Sequence, residues 1–283
     1  MSRLRAFVAE FDVRGLLGDL LPAAMLAFTC FCDWRLMPKL GRMLAFGYNA
    51  AYLLIPLAFL AWWGSAARRT GHAVVALLVP LLVAGPWWYA KVELGKNWAT
   101  EDPTRFFVPL GAATVLTLGA WFTSDAKADD WGIGLGDWRW WGPKMGIALA
   151  LIVPAAFLAA AFVPGLKEYY PQDARARGDL GELLLNQLGR GACLYGEEFI
   201  WHGAGLFMLA KTDGRRAALA YTTLAYFLLH KGKPELEMLS SFVGAAILAV
   251  VSFRCRTFLP TFIGHWPMNL CVELGAFWVM GPR

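Results

Sequence analysis

Apolar residues fall along this chain in blocks of about 20, divided by short polar stretches. That length lets an α-helix cross about 30 Å of hydrocarbon. A weak first block covers 16–33, and clearer ones cover 43–63, 72–90, 106–123 and 144–164. A long helix is expected over 181–210, followed by 216–230, 237–253 and 257–279. The pattern predicts an all-α fold: a polytopic transmembrane helical bundle of about eight or nine spans. Pro56, Pro80, Pro154, Pro260 and Pro267 lie inside blocks and predict kinks, which membrane helices tolerate when neighbours satisfy the freed carbonyls. The longest connection, 124–143, mixes charge, glycine and tryptophan and is expected at the membrane interface as a short re-entrant or surface helix. The polar segment 165–180 leads into the long helix, where it could shape the entrance to a site. There is no internal repeat, no low-complexity tract and no extramembrane stretch long enough for a second folded domain. One integral membrane domain is expected, with N-terminal helices and an interfacial loop over 1–143 and a helical core over 144–283.

Composition supports this class. Of 283 residues, 58% are hydrophobic and 17% charged, so a soluble fold would leave too much apolar surface uncovered. Several of the 14 tryptophans (Trp62, Trp63, Trp87, Trp88, Trp131, Trp138, Trp140, Trp141) stand at block ends, where an interfacial belt places them. The net charge of +5 is spread over short loops without a basic run, which argues against nucleic acid and for lipid head groups as the partner. Counting Lys and Arg in alternate loops leaves the orientation open if all blocks span, and puts the N-terminus in the cytoplasm if 16–33 does not. Arg3, Arg5 and Arg14 precede an apolar stretch in the manner of a signal peptide, but Glu10, Asp12, Asp19 and Pro22 interrupt it. A retained amphipathic or first spanning helix is expected there. Cys30, Cys32, Cys193, Cys255 and Cys271 form no metal knuckle or disulfide framework and read as small buried fillers.

The candidate chemistry is concentrated near the end. Three of the four histidines fall between Glu197 and Asn269, in or beside apolar blocks. Ionisable groups at membrane depth cost roughly 2.5–3.5 kcal/mol each on insertion scales, so they need a functional reason. Glu197 and Glu198 are adjacent and on a helix point about 100° apart, so one can act while the other supports. Glu198 and His202 are four apart and can pair on one face, which leaves Glu197 to face a cavity as a general base. Arg190, seven residues upstream, offers the plainer reading of an ion pair at a helix end. His230 closes its block before Lys231 and Lys233, either as an interfacial ring or as a partner to Glu197 through a shared water. His265 and Asn269 share one helical face. Two such donors suit an oxyanion, although polar pairs also hold membrane helices together. His72 opens another block and reads as interfacial. Glu197, His230 and His265 would be the candidate zinc set, but no HExxH pattern is present.

Together the three pieces resemble the CPBP intramembrane protease family, which includes the CAAX-processing endopeptidases and the Abi proteins. Its pattern is Glu-Glu-x-x-x-Arg, Phe-x-x-x-His and His-x-x-x-Asn. Here these are Glu197-Glu198 through His202, Tyr226 through His230, and His265 through Asn269. The resemblance covers about 180–280. It implies that Glu197 activates water, His230 assists, His265 and Asn269 stabilise the oxyanion, and Glu198 supports, with no cofactor required. Two positions depart from the pattern. His202 replaces arginine, losing a permanent charge and a bidentate partner for a carboxylate, and Tyr226 replaces phenylalanine while keeping ring stacking.

The function expected is an intramembrane endopeptidase acting on a membrane-associated protein or peptide, in a multi-pass protein of a bacterial inner membrane. A prenylated CAAX substrate is one case among several. The alternatives are a non-catalytic Abi-like protein that binds a membrane peptide for immunity or regulation, and a proton- or metal-coupled transporter. The lack of a repeat between halves speaks against the transporter.

Overall fold

The computed structural model describes residues 131–281 apart from positions 174, 231 and 232. The blocks expected before residue 124, together with His72, Cys30 and Cys32, lie outside the described residues. Within them every regular element is helical. Helix α1 is Trp138–Phe162 and the short α2 is Pro164–Tyr169. A 3-10 turn at Arg175–Arg177 precedes α3, Leu180–Glu198. A π-helical stretch, Phe199–Gly205, continues into α4, Leu206–Asp213. Helices α5, Arg215–Leu229, α6, Glu235–Cys255, and α7, Leu259–Met280, complete the order.

Local chemistry sets several of these boundaries. The Asp179 carboxylate accepts from the backbone N–H groups of Gly181 and Glu182 at 2.5 and 3.1 Å, satisfying donors that the first turn of α3 leaves without partners. Glu235 and Glu237 lie in the first turn of α6, where negative charge meets the positive end of the helix dipole. Gly214 ends α4 at φ 92°, a conformation that glycine adopts without steric cost.

Helix α1 begins at Trp138 and therefore takes in three tryptophans assigned by their composition to the interfacial connection. The chain before it is pinned by the Trp141 indole N–H, which donates to the Leu135 carbonyl at 2.9 Å. Asp137 N–H donates to the Cys255 carbonyl at 2.9 Å. Gly136 sits at φ 53°, and a Cβ there would collide with that same Cys255 carbonyl. Pro154 and Pro267 lie inside helices as expected. Pro260 instead occupies the first turn of α7, where its missing N–H is not needed and no kink follows.

Helices α1 and α6 are long and apolar enough to cross a membrane. Helix α1 presents Ile147, Leu151, Leu158 and Phe162 outward, and α6 presents Leu236, Leu239, Val243 and Ile247, surfaces suited to lipid. Helix α7 packs along α1 and also touches α2, α3 and α6, while α5 packs on α4 and α6. The α1–α7 crossing is close: a Cβ on Gly275 would overlap the Phe157 backbone. On the far side Leu206, Ala218, Leu219 and Ala249 form a buried cluster joining α4, α5 and α6. The segment before α3 is tied down by polar contacts. The Tyr170 hydroxyl donates to Glu237 Oε2 at 2.7 Å, and Lys233 Nζ donates to Glu237 Oε1 at 2.6 Å. Burial and the neighbouring Glu237 carboxylate push the Tyr170 phenol well above its ordinary pKa, so it remains a donor.

Candidate active site

The end of α3, the π stretch, α5 and α7 bring the three sequence motifs to one place. Glu198 is the last residue of α3 and is wholly buried. Its Oε2 lies 2.6 Å from His202 Nδ1, the pairing expected from their spacing. Its Oε1 accepts from the Tyr226 hydroxyl at 2.6 Å and lies 2.7 Å from His265 Nδ1. The Tyr226 hydroxyl is itself 2.6 Å from His265 Nδ1. Residues from α3, α5 and α7 thus meet on a single carboxylate. A carboxylate engaged by three donors can remain ionised away from water.

The local sequence makes this convergence possible. The widened π turn begins immediately after Glu198 and carries Trp201 and His202 into the core. A Cβ on Gly205 would stand 2.6 Å from the Ile200 carbonyl oxygen, so the turn needs glycine at its end. Such turns recur at functional sites. Helix α7 is held against α3 by Trp266, whose indole N–H donates to the Gln187 carbonyl at 2.9 Å. Gly191 leaves room for that ring, since a Cβ there would meet Trp266 Cε2 at 2.7 Å. The residue beside Trp266 is His265, so this contact sets how far His265 stands from Glu198.

His230 follows the last turn of α5 and is buried. Its Nδ1 lies 2.9 Å from the Tyr226 carbonyl. That acceptor fixes the proton on Nδ1 and leaves Nε2 with a free lone pair. The His230 ring stacks on His265 with centroids 6.4 Å apart, and Tyr226 lies beside both histidines and His202. Asn269 is buried one turn beyond His265, and its Oδ1 has no hydrogen-bond partner among the described residues. Such an atom costs about 1–3 kcal/mol unless a ligand or water pairs it.

Glu197 is only partly buried. The Cys193 thiol approaches its Oε1 at 3.4 Å, and Arg190 and Tyr226 are close enough to feel its charge. Among the described residues no three His, Cys, Asp or Glu side chains are grouped to hold a metal ion.

Two features were not expected from the sequence. The Tyr226 hydroxyl is a full member of the network, whereas the motif drew attention only to its ring. Glu273 on α7, also buried, lies 3.4 Å from the Gln172 backbone N–H. The signal for it was a lone acid in the last apolar block.

No curated protein and no solved structure matches the chain. Residues 182–271 match the family described as Type II CAAX prenyl endopeptidase Rce1-like, a stretch that contains every residue of the network and both Glu197 and Asn269. The resemblance read from three short motifs is thus matched over a continuous segment by the model of the Rce1-like CAAX-processing proteases.

Proposed function

We propose that this protein is an intramembrane endopeptidase in which Glu197 activates a water for attack on a peptide bond of a membrane-associated substrate. The observation that carries this reading is the division between adjacent carboxylates. Glu198 has both oxygens committed to His202, Tyr226 and His265 and has little capacity left for a water. Glu197, beside it and only partly buried, is free to take one.

In this mechanism Glu197 takes a proton from water as the oxygen bonds to the substrate carbonyl carbon. The carbonyl electron pair moves onto its oxygen, and the resulting oxyanion is held by the Asn269 amide and by His265. With Nδ1–H of His265 turned to Glu198, Nε2 donates only when the ring is an imidazolium, whose charge the Glu198 carboxylate balances. Collapse breaks the carbon–nitrogen bond, and the proton taken from water passes to the leaving nitrogen through Glu197 or His230. No covalent enzyme intermediate forms. The substrate class is a membrane-associated protein or peptide, with a prenylated CAAX end as one case, and the location is a bacterial inner membrane that the chain crosses several times.

The test uses the full-length protein in lipid nanodiscs with a farnesylated CAAX peptide and with an unlipidated transmembrane peptide. Peptides from membranes of cells carrying the wild type and Glu197→Ala are compared in parallel to find a native substrate. Cleavage by the wild type and its loss in Glu197→Gln are expected. Undiminished cleavage by Glu197→Gln removes the proposal. The alternative, a non-catalytic binder of a membrane peptide, is favoured by histidine at position 202, and it predicts that Glu197→Gln leaves the cellular phenotype unchanged.

A further inference from the structure

Three atoms form a closed triangle at the centre of the site: Tyr226 Oη, Glu198 Oε1 and His265 Nδ1, separated by 2.6, 2.6 and 2.7 Å. An ionised carboxylate has no proton to give. The triangle therefore holds two protons, one from the phenol and one from the imidazole, and both run toward Glu198, directly or through the phenol oxygen. In each arrangement His265 keeps hydrogen on Nδ1 and turns Nε2 outward. The other carboxylate oxygen is taken by His202 at 2.6 Å. The two residues that depart from the resembling motif, at 202 and 226, thus engage opposite oxygens of one carboxylate.

We propose that Tyr226 is a positioning residue for His265 and works as a pair with His202: together they complete Glu198, the task for which the motif has arginine at 202 and no hydroxyl at 226. The phenol does two things that a phenylalanine ring cannot. It fixes the His265 ring from a second direction, and by donating to Oε1 it draws charge from the carboxylate that faces the imidazole. Removing the hydroxyl leaves Oε1 with His265 alone, so the ring is fixed from one direction only. The charged and titratable groups around His265 are Glu198 on α3, Tyr226 on α5 and His230 just beyond it. Farther out, Arg190 and Glu197 act on Tyr226. Of these, the substitution alters only the Glu198 and Tyr226 contacts.

The kinetic part of this proposal rests on the endopeptidase reading, and its spectroscopic part does not. The experiment uses the full chain with 15N-labelled histidine in nanodiscs. The His265 signals are identified by their loss in His265→Gln. In the wild type a single ring state with hydrogen on Nδ1 is expected. In Tyr226→Phe the His265 ring signals are expected to broaden or split as the ring gains a second orientation. With a cleaved peptide in hand, Tyr226→Phe is expected to lower kcat about tenfold or more with KM nearly unchanged. The double variant His202→Arg with Tyr226→Phe is expected to regain cleavage to within about threefold of wild type, far above the product of the two single effects. Unchanged His265 ring signals in Tyr226→Phe, or a double variant no better than that product, overturn the pairing. Failure of the double variant to fold overturns it too, since the two arrangements are held to be interchangeable. If the wild type cleaves nothing, the endopeptidase reading falls, and the His265 ring signals alone decide the pairing.

Discussion

Replacing Glu198 with alanine removes the acceptor on which the three helices meet, and its cost can be worked from the distances. Three groups lose their partner: His202 Nδ1–H, His265 Nδ1–H and the Tyr226 hydroxyl. Two of them can rescue each other, because the Tyr226 hydroxyl is already 2.6 Å from His265 Nδ1. The phenol then donates to that nitrogen, and the His265 proton moves to Nε2. His202 has no such escape, since its Nε2 is also buried and unpaired among the described residues. One orphaned donor costs about 1–3 kcal/mol, and the space left by the lost side chain adds to it, giving a destabilisation of about 2–5 kcal/mol. Each kcal/mol moves Tm by roughly 2–4 °C at about 150–250 residues and by less in a longer chain, so a fall on the order of 3–15 °C is expected in a thermal shift assay on nanodisc-embedded protein. Catalysis should suffer more than stability, because His265 loses the carboxylate that holds its ring and balances its imidazolium charge. By comparison with carboxylates that orient a catalytic histidine, a loss on the order of 10²–10⁴ in kcat is expected. A Glu198→Ala protein that melts within a degree of wild type and cleaves normally refutes the network as the centre of the site.

Other outcomes follow from the same geometry. Glu197→Gln should lower kcat by about 10²–10⁴ while leaving Tm nearly unchanged, because Glu197 is partly exposed and its side-chain contact is a thiol at 3.4 Å; kinetics and melting on one preparation check both halves. His230→Ala should abolish most cleavage and cost about 0.5–1.5 kcal/mol of stability, since its hydrogen bond is to a single backbone carbonyl. Gly275→Ala lies far from the chemistry, yet should destabilise by about 1–3 kcal/mol, because the new methyl meets the Phe157 backbone and forces α1 from α7. Its kcat at a temperature below the new melting point should stay near wild type.

Much of the helical part was legible because apolar blocks of membrane length leave few choices. The blocks expected at 237–253 and 257–279 correspond to Glu235–Cys255 and Leu259–Met280. Trp138, Trp140 and Trp141 misled as to where α1 begins, since an interfacial composition says nothing of whether the backbone is already helical. The continuous helix expected over 181–210 is broken by a π stretch, which hydrophobic spacing cannot reveal. Gly203 and Gly205 were its only trace. At the site, residues four apart on one helix were readable, and the Glu198–His202 pair is found at 2.6 Å. Contacts between helices were not readable. Nothing in the sequence says that His265 and Tyr226 both turn to Glu198, because that depends on how Trp266 seats against Gly191.

The widened turn at Phe199–Gly205 has one residue of slack that a regular helix lacks. Deleting a position between Glu198 and His202 would use up that slack and turn His202 by about 100° from its place on Glu198, while Leu206 could keep its seat against Ala218, Leu219 and Ala249. One irregular turn thus lets His202 reach Glu198 while Leu206 stays in its seat, keeping the reactive centre and the packing of its neighbours in phase.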